Sequence, residues 1–381
     1  MGKKLSCIHL GHKYIPSRVG GIEVVIEELA SRMVQRGLDV TCLNRGGYRV
    51  GGRFENAKRP RVYRGIKLKT VLTVNIRGIA AMTASLSGAI VAAISKADVV
   101  HFHAEGSCVF IWIPKLFGKR CVITIHGLDH QRAKWGRFAR RYIMQGEKCA
   151  VKYADKIIVL SKDMQRYFEK TYQRETDFIP NGVTRPIRQE IKLLKKWGLQ
   201  KDEYILYLGR LVPEKGIKYL IEAFRKTKTD KRLVIAGDSD SNFFARELKQ
   251  MAKGDERIVF TGFVTDEVPE LYSNAYFYIL PSDVEGMPLS LLEAMSYDNC
   301  CITSNIPECA EVVSDKGMTF SKGDVADLQS KMQELFDDTK QVDKYRAESR
   351  AYVCEKYDWD KVVTQTLSLY KEGLGEENID E

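Results

Sequence analysis

No C-x-x-C pair occurs among the nine cysteines, which stand at positions 7, 42, 108, 121, 149, 300, 301, 309 and 354. A zinc ribbon or a disulfide framework is therefore not expected. Most of these cysteines flank apolar, strand-like runs and read as small buried hydrophobes. Nor is a secretory leader expected, because Lys3 and Lys4 precede only a few apolar residues before Gly11-His12-Lys13, and the reducing cytoplasm is the expected compartment. No apolar run of membrane length stands out: the charge-free stretch from Gly78 to Ile94 is 17 residues long and rich in Ala, Ser, Thr and Gly. That is short and weakly apolar for a span, and a helix buried between other elements is expected instead. There is no low-complexity segment, no internal repeat beyond a coarse likeness of the two halves, and no histidine after residue 130.

What is present is a globular balance of 44% hydrophobic and 29% charged residues. It excludes disordered, collagen-like and small disulfide-stapled classes. At about 100–200 residues per domain, 381 residues argue for two domains. The formal charge of +10 is unevenly divided: residues 1–183 carry 32 basic and 14 acidic side chains, +18, and residues 184–381 carry 28 and 36, −8. The asymmetry suggests that the halves do different jobs, the basic one facing a polyanion or an anionic surface.

Short β-rich runs alternate with helical patterns throughout, the sign of parallel sheets covered by helices. Strands are expected at Leu5–Leu10, Val40–Leu43, Val99–Phe102, Cys121–Ile125 and Lys156–Leu160. In the second half they are expected at Tyr204–Leu208, Leu233–Ala236, Ile258–Thr261, Ala275–Leu280 and Cys301–Ser304. Apolar residues at three- and four-residue spacing predict a helix over Gly21–Arg36, stopped by Gly37. Further helices are expected at 216–227, 243–253, 287–297 and 325–338. The boundary is placed near Ile179-Pro180-Asn181-Gly182-Val183, where Pro and Asn-Gly break regular structure and the charge changes sign. This gives domains 1–183 and 184–357, followed by a last helical pattern and acidic tail over 358–381 whose end is expected to fray.

Open parallel sheets bind ligands beyond the carboxyl ends of their strands, so strand-end loops are where chemistry is sought. Gly20-Gly21 directly precedes a helix, where the backbone can approach a ligand and the helix start favours an anion. Gly209-Arg210-Leu211-Val212-Pro213-Glu214-Lys215-Gly216 follows a strand and precedes a helix. Arg210 and Lys215 can both reach a phosphate there, one as a bidentate fork and one as a mobile point charge. Glu285-Gly286-Met287-Pro288-Leu289 leads into a helix carrying Glu293 among apolar residues. A carboxylate in such surroundings needs partners, and sugar or ribose hydroxyls suit it. His101-x-His103 on a strand points to one face, as metal ligands might. Without a nearby Cys or a third paired His in sequence, hydrogen-bonded strand-end residues are preferred. Asp238-Ser239-Asp240 is the nearest thing to a metal-holding Asp-x-Asp, and no metal role is expected for it.

Gly20-Gly21, the Gly209-Arg210…Lys215-Gly216 loop and the E-x₇-E spacing of Glu285 and Glu293, in this order and at these intervals, resemble glycosyltransferase family 4, the retaining nucleotide-sugar transferases of the GT-B fold. The resemblance spans nearly the whole chain, including Ile179-Pro180-Asn181-Gly182-Val183 and the final Tyr357-x-Trp359 helix. It implies an α/β fold of two Rossmann-like, doubly wound parallel-sheet domains facing across a cleft. The N-terminal domain would take the acceptor and the C-terminal one the donor, with the last helix crossing back to the N-domain. Carried over residue by residue, it implies that Arg210 and Lys215 grip the donor diphosphate while Gly20 and Gly21 let the N-domain loop close over it. Glu293 would bind the ribose, and Glu285 the transferred sugar, with Gly286, Met287, Pro288 and Leu289 around the donor. Relatives often carry an aromatic or Leu where Met287 stands. His126 matches the family's histidine near the reacting centre, and Asp129 and Arg132 are candidates for acceptor contacts.

The resemblance further implies a saccharide or lipid-pyrophosphate-linked acceptor, a UDP-linked donor, no metal, and an enzyme of bacterial polysaccharide assembly peripheral to the inner face of the membrane. Arg137, Arg140, Arg141, Lys148 and Lys152 fall toward one side of a helix with Trp135, Phe138 and Tyr142 interleaved, a face for an anionic bilayer, a pyrophosphate-linked acceptor or nucleic acid. The basic stretch from Arg45 to Lys69 reads as a flexible acceptor-side loop. Two rivals follow from the same residues: a nucleotide-sugar epimerase of this architecture, and a non-catalytic basic module binding nucleic acid. The second leaves the acidic half's motifs without purpose, so no nucleic-acid partner is expected.

Overall fold

The computed structural model describes residues 4–17, 20–47, 60–76, 78–131, 135–239 and 241–374. The chain divides into two units, one running to Asn181 and taking up the segment from Trp359, the other Gly182–Asp358.

The first unit runs β1 (Ser6–Leu10), α1 (Gly21–Gln35), β2 (Asp39–Arg45), β3 (Val62–Tyr63), β4 (Ile66–Val71), α2 (Ala80–Ile94), β5 (Val99–His103), α3 (Trp112–Leu116), β6 (Arg120–Ile125), α4 (Arg137–Tyr153), β7 (Lys156–Val159), α5 (Lys162–Tyr172) and β8 (Asp177–Phe178). Its sheet has the order β3-β4-β2-β1-β5-β6-β7-β8, parallel except where β3 meets β4. The strands read as continuous apolar runs because helices cover both faces; all five residues of β5 are buried. The order reverses between β1 and β5, so the loops leaving those strands part there and open a crevice.

The second unit runs β9 (Tyr204–Leu208), α6 (Ile217–Lys226), β10 (Arg232–Ala236), α7 (Asn242–Met251), β11 (Ile258–Gly262), α8 (Val268–Asn274), β12 (Phe277–Leu280), α9 (Leu289–Ser296), β13 (Cys301–Ser304), α10 (Pro307–Val313), β14 (Met318–Phe320), α11 (Val325–Asp337) and α12 (Thr339–Lys356). Its all-parallel sheet, β11-β10-β9-β12-β13-β14, is the doubly wound order whose switch point lies between β9 and β12.

The last helix, α13 (Trp359–Lys371), is part of the first unit. It buries Trp359, Val362, Val363, Leu369 and Tyr370. Arg36 donates to Thr364 Oγ1 at 2.7 Å and to the Asp360 carbonyl at 3.0 Å, and Arg120 donates to the Leu369 carbonyl at 2.9 Å.

Two expectations need correction. The charge-free stretch forms a helix, but one covered on a single face. Its small residues Ala84, Ser85, Gly88, Ala89, Ala92 and Ala93 are buried, letting α2 lie close on Leu10 and Leu43. Its larger ones face outward, Ile94 being 70% exposed. The adjoining α3 and its exit continue this apolar surface with Leu116, 75% exposed, and Phe117. Among the described residues no helix is long and apolar enough to cross a membrane. The second correction concerns Arg45 to Lys69. Residues 48–59 lie outside the described residues, but Val62–Tyr63 and Ile66–Val71 are strands. In β4 the lysines alternate outward and Ile66 and Leu68 inward, a period-2 pattern hidden by the charge.

Helix α4 keeps Arg137, Arg140, Arg141, Lys148 and Lys152 exposed and turns Ile143, Gly146, Glu147, Cys149 and Ala150 inward. Phe138 stands 74% exposed among the cations.

Candidate functional site

At the switch point of the second unit, two strand exits meet through glycines. Gly237, leaving β10 at φ +136°, passes so close to Gly209 that a Cβ would lie 1.9 Å from the Gly209 carbonyl oxygen. The Pro213–Lys215 turn closes on Gly216 at φ +67°, where a Cβ would lie 1.9 Å from the Pro281 carbonyl oxygen. This contact seats the turn on the exit of β12 and brings Lys215 to Glu285. The Lys215 ammonium pairs directly with Glu285 Oε1, and Ser282 Oγ donates to the same oxygen at 2.7 Å. The Lys215 and Glu285 side chains are 15% and 9% exposed. One ammonium proton is engaged by the carboxylate, leaving two to reach outward.

Arg210 is half-buried, its carbonyl accepting the Tyr207 hydroxyl at 3.0 Å. Its guanidinium makes no ion pair among the described residues. Gly286, Met287 and Pro288 are buried ahead of α9, and Leu289 opens the helix after an extended Pro288 with no side-chain cap. The first backbone N–H groups of α9 are therefore available to an anion. One helical turn further on is Glu293, whose Oε2 accepts the Tyr272 hydroxyl at 3.3 Å. Tyr272 stacks on Tyr297 at 5.5 Å, and burial pushes the Tyr272 hydroxyl well above its ordinary pKa, so it remains a donor.

In the first unit the loop leaving β1 ends at Gly20, and Gly21 is the first residue of α1. Gly20 is the extended N-cap of α1, without a side-chain cap. A Cβ there would stand 2.0 Å from Glu23 Oε2. The carboxylate folded over this helix start is thus the chain's own, and its Oε1 accepts the Lys13 amide at 2.9 Å.

Beside this loop a chain of histidines runs across the strand ends. His9 Nδ1 meets His103 Nε2 at 3.0 Å, and His103 Nδ1 meets His126 Nε2 at 3.0 Å. His101 bonds Thr124 Oγ1 at 2.8 Å and the Tyr370 hydroxyl at 2.5 Å. His101 and His103 do share a face, with ring centroids 4.3 Å apart. Nitrogens of His9, His101 and His103 come close enough together for a metal, but they are bonded to one another and to Thr124, Tyr370 and His126. Burial pushes His9 down to about 3 and holds His101 and His103 well below the ordinary imidazole range. Burial thus favours the neutral rings, in which each nitrogen-to-nitrogen contact joins one N–H donor to one bare acceptor. His126 is thereby held by a ring that is itself held.

Asp129 lies in a 3₁₀ turn (Asp129–Gln131) and donates its amide to Glu105 Oε1 at 3.1 Å. Arg132 lies outside the described residues. Ser282, Tyr272 and His9 escape the sequence reading as site residues, whereas His103 is singled out there with His101 as a hydrogen-bonded strand-end residue, as its bonds to His9 and His126 have it. Only His9 left a usable signal, since pairing β1 with β5 puts it level with His101.

The sequence model described as Glycosyltransferase Family 4 matches residues 19–185, and that of Glycosyl transferases group 1 matches residues 189–352. An uncharacterised glycosyltransferase of Methanocaldococcus jannaschii is 25% identical over 94% of this chain and 96% of its own length. The Escherichia coli UDP-Gal:alpha-D-GlcNAc-diphosphoundecaprenol alpha-1,3-galactosyltransferase is 30% identical over 55% of this chain and 58% of its own length. Among solved structures, Anabaena HepE in complex with UDP and glucose aligns with a TM-score of 0.81 at 16% identity, covering 97% of this chain and all of that one. Matched in both halves, and built of two parallel-sheet α/β units with GT-B structural neighbours, the chain belongs to the group 1, family 4 glycosyltransferases.

Proposed function

We propose that this chain is a retaining glycosyltransferase moving a sugar from a nucleoside diphosphate, with UDP-sugars the class to test first, to a hydroxyl of a saccharide acceptor carried on a lipid pyrophosphate. The observation that carries the reading is the pair of cations at the β9/β12 switch point, Arg210, whose guanidinium makes no ion pair among the described residues, and Lys215, held by Glu285. In the reaction the bond from the anomeric carbon to the diphosphate oxygen breaks, and its electron pair stays on the leaving phosphate. The acceptor hydroxyl attacks from the same face, and its proton passes to that phosphate oxygen. Arg210 and Lys215 meet the developing negative charge, each such preorganised contact contributing on the order of 3 kcal/mol. The start of α9, with Gly286, Met287, Pro288 and Leu289, supplies further N–H groups to the donor.

In this reading Glu293 binds the ribose hydroxyls and Glu285 both orients Lys215 and meets the transferred sugar. Gly20 and Gly21 keep the N-domain loop slim beside the donor. His126, fixed by His103, serves the reacting sugar, and Asp129 and Arg132 serve the acceptor. With two cations at the diphosphate, no metal is needed there. The exposed apolar residues of α2 and α3 and the basic face of α4 suit a lipid-linked acceptor and peripheral attachment to an anionic membrane. The relative named for a diphosphoundecaprenol-linked acceptor and the neighbour solved with UDP agree with this chemistry.

A thermal-shift panel of nucleoside diphosphates and sugar nucleotides tests the donor, since a ligand at 100 times its Kd stabilises the fold by about 2.7 kcal/mol. The shift with UDP should persist in EDTA and vanish in Lys215→Ala and Glu293→Ala, and both variants should lose transfer. Full activity in both overturns the assignment.

A further inference from the structure

The first unit holds a second cluster, built from the exits of β5 and β6 and the inner face of α4, whose three side chains carry no assigned part in glycosyl transfer. Glu105 follows β5, His130 lies in the 3₁₀ turn after β6, and Glu147 is on the inner face of α4. One ligand atom from each residue lies within 4.8 Å of the other two. From these same three residues, Glu105 Oε2, His130 Nδ1 and Glu147 Oε2 are buried and make no hydrogen bond. His130 Nδ1 and Glu147 Oε2 stand 3.3 Å apart, within ion-pair reach but without hydrogen-bond geometry. Buried polar atoms without a hydrogen bond on three neighbouring side chains are costly unless something else satisfies them.

The outer atoms of the carboxylates are by contrast well held. Glu105 Oε1 accepts the Asp129 amide at 3.1 Å. Glu147 Oε1 accepts the Tyr167 hydroxyl at 2.8 Å and the Tyr172 hydroxyl at 2.5 Å. Each carboxylate is thus anchored by one oxygen and turns the other inward, as metal-binding carboxylates are held by their outer partners. The close approach of α4 is itself built in: a Cβ on Gly146 would lie 2.0 Å from the Glu105 carbonyl oxygen. Only glycine at that position lets Glu147 come up to Glu105. The two glutamates are fully buried as residues, and His130, its side chain 15% exposed, leaves a way in from solvent.

We propose that Glu105, His130 and Glu147 form a binding site for one divalent cation of the Zn²⁺ or Mn²⁺ kind, which fastens the 129–131 turn to α4. Two carboxylate oxygens and one imidazole nitrogen suit these ions better than Mg²⁺ or Cu⁺. The doubly charged ion balances both carboxylates. A tetrahedral site with bonds of about 2.1 Å has ligand separations of about 3.4 Å, so the widest present separation has to close by no more than about 1.4 Å. All three ligands belong to the first unit and none is assigned to the donor diphosphate, so the proposal stands whether or not the donor assignment does.

The test uses the untagged full chain, stripped with EDTA and titrated with Zn²⁺ and, separately, Mn²⁺ by calorimetry, with metal content measured after gel filtration. One equivalent per chain with a Kd of micromolar or below is expected for at least one of the two ions. His130→Asn and Glu147→Gln should each weaken it at least 100-fold, and Tyr172→Phe about tenfold. His9→Asn should leave it unchanged. Near-UV circular dichroism of the metal-free variants checks that they are folded, and His130→Asn, altering the most exposed of the three, is the variant to rely on if Glu147→Gln fails that check. Absence of stoichiometric metal from the wild-type chain overturns the proposal. So does retention of the metal in folded His130→Asn, or its loss in His9→Asn, which would move the ion to the histidine chain.

Discussion

A methyl group at residue 216 would have to share space with the Pro281 carbonyl oxygen, on a backbone whose φ of +67° already disfavours a side chain. The strain of a non-glycine residue there is about 1–2 kcal/mol before the clash is counted. Gly216→Ala is therefore expected to lower the unfolding midpoint by several degrees. It should also cut transfer at least 100-fold, because the turn that presents Lys215 cannot stay seated on the exit of β12. Steady-state transfer and thermal unfolding measure both, and a variant with wild-type values in each would mean that the Lys215–Glu285 pair does not depend on this contact. Sequence alone marked Lys215 and Glu285 as separate ligands of the donor. Their union is invisible there, because the two lie 70 residues apart and meet only when β9 and β12 become neighbours. Ser282 and Tyr272 were hidden for a plainer reason: a hydroxyl on a strand exit or inside a helix carries no spacing that separates a site residue from an ordinary core one.

Among the elements, the strands easiest to read were those whose apolar runs end sharply. Tyr204–Leu208 and Cys301–Ser304 have the same bounds in sequence and structure. The hard ones were strands whose outward residues are charged, as in β4. Helix α2 misled in the opposite sense, since its lack of charge pointed to complete burial. Its small residues in fact form the packed face and its large aliphatic ones are left outside, the reverse of a water-facing helix. This face carries its own prediction: Ile90→Ser combined with Ile94→Ser should reduce sedimentation with anionic vesicles several-fold. Because both side chains are exposed, stability should change by no more than about 0.5 kcal/mol per site. Vesicle binding that is unaltered, or insensitive to lipid charge, would remove the membrane from the reading.

At the scale of the whole molecule, buried neutral histidines tie stability to pH. His9 and His12 are pushed down by burial to about 3 and about 4, and His101 lies well below its ordinary value. In the unfolded chain all three protonate near pH 6.5. Above pH 7 neither state binds these protons and they leave stability unchanged. As pH falls through 6.5 toward 4, the unfolded state gains protons that the fold refuses, and stability drops by about 1.4 kcal/mol per pH unit for each histidine. Urea unfolding at pH 8, 6.5 and 5 should show this onset, with a shallower slope in His9→Asn; a profile flat from pH 8 to 5 would contradict it. The return of α13 to the first unit has another consequence, for the order of events during synthesis. Trp359 and Tyr370, which complete the first unit's core, leave the ribosome only after every residue of the second unit has been made. The usual order of co-translational folding, N-terminal unit first, is thereby inverted: the unit begun earliest is the last to be completed, lacking α13 until its neighbour has been made.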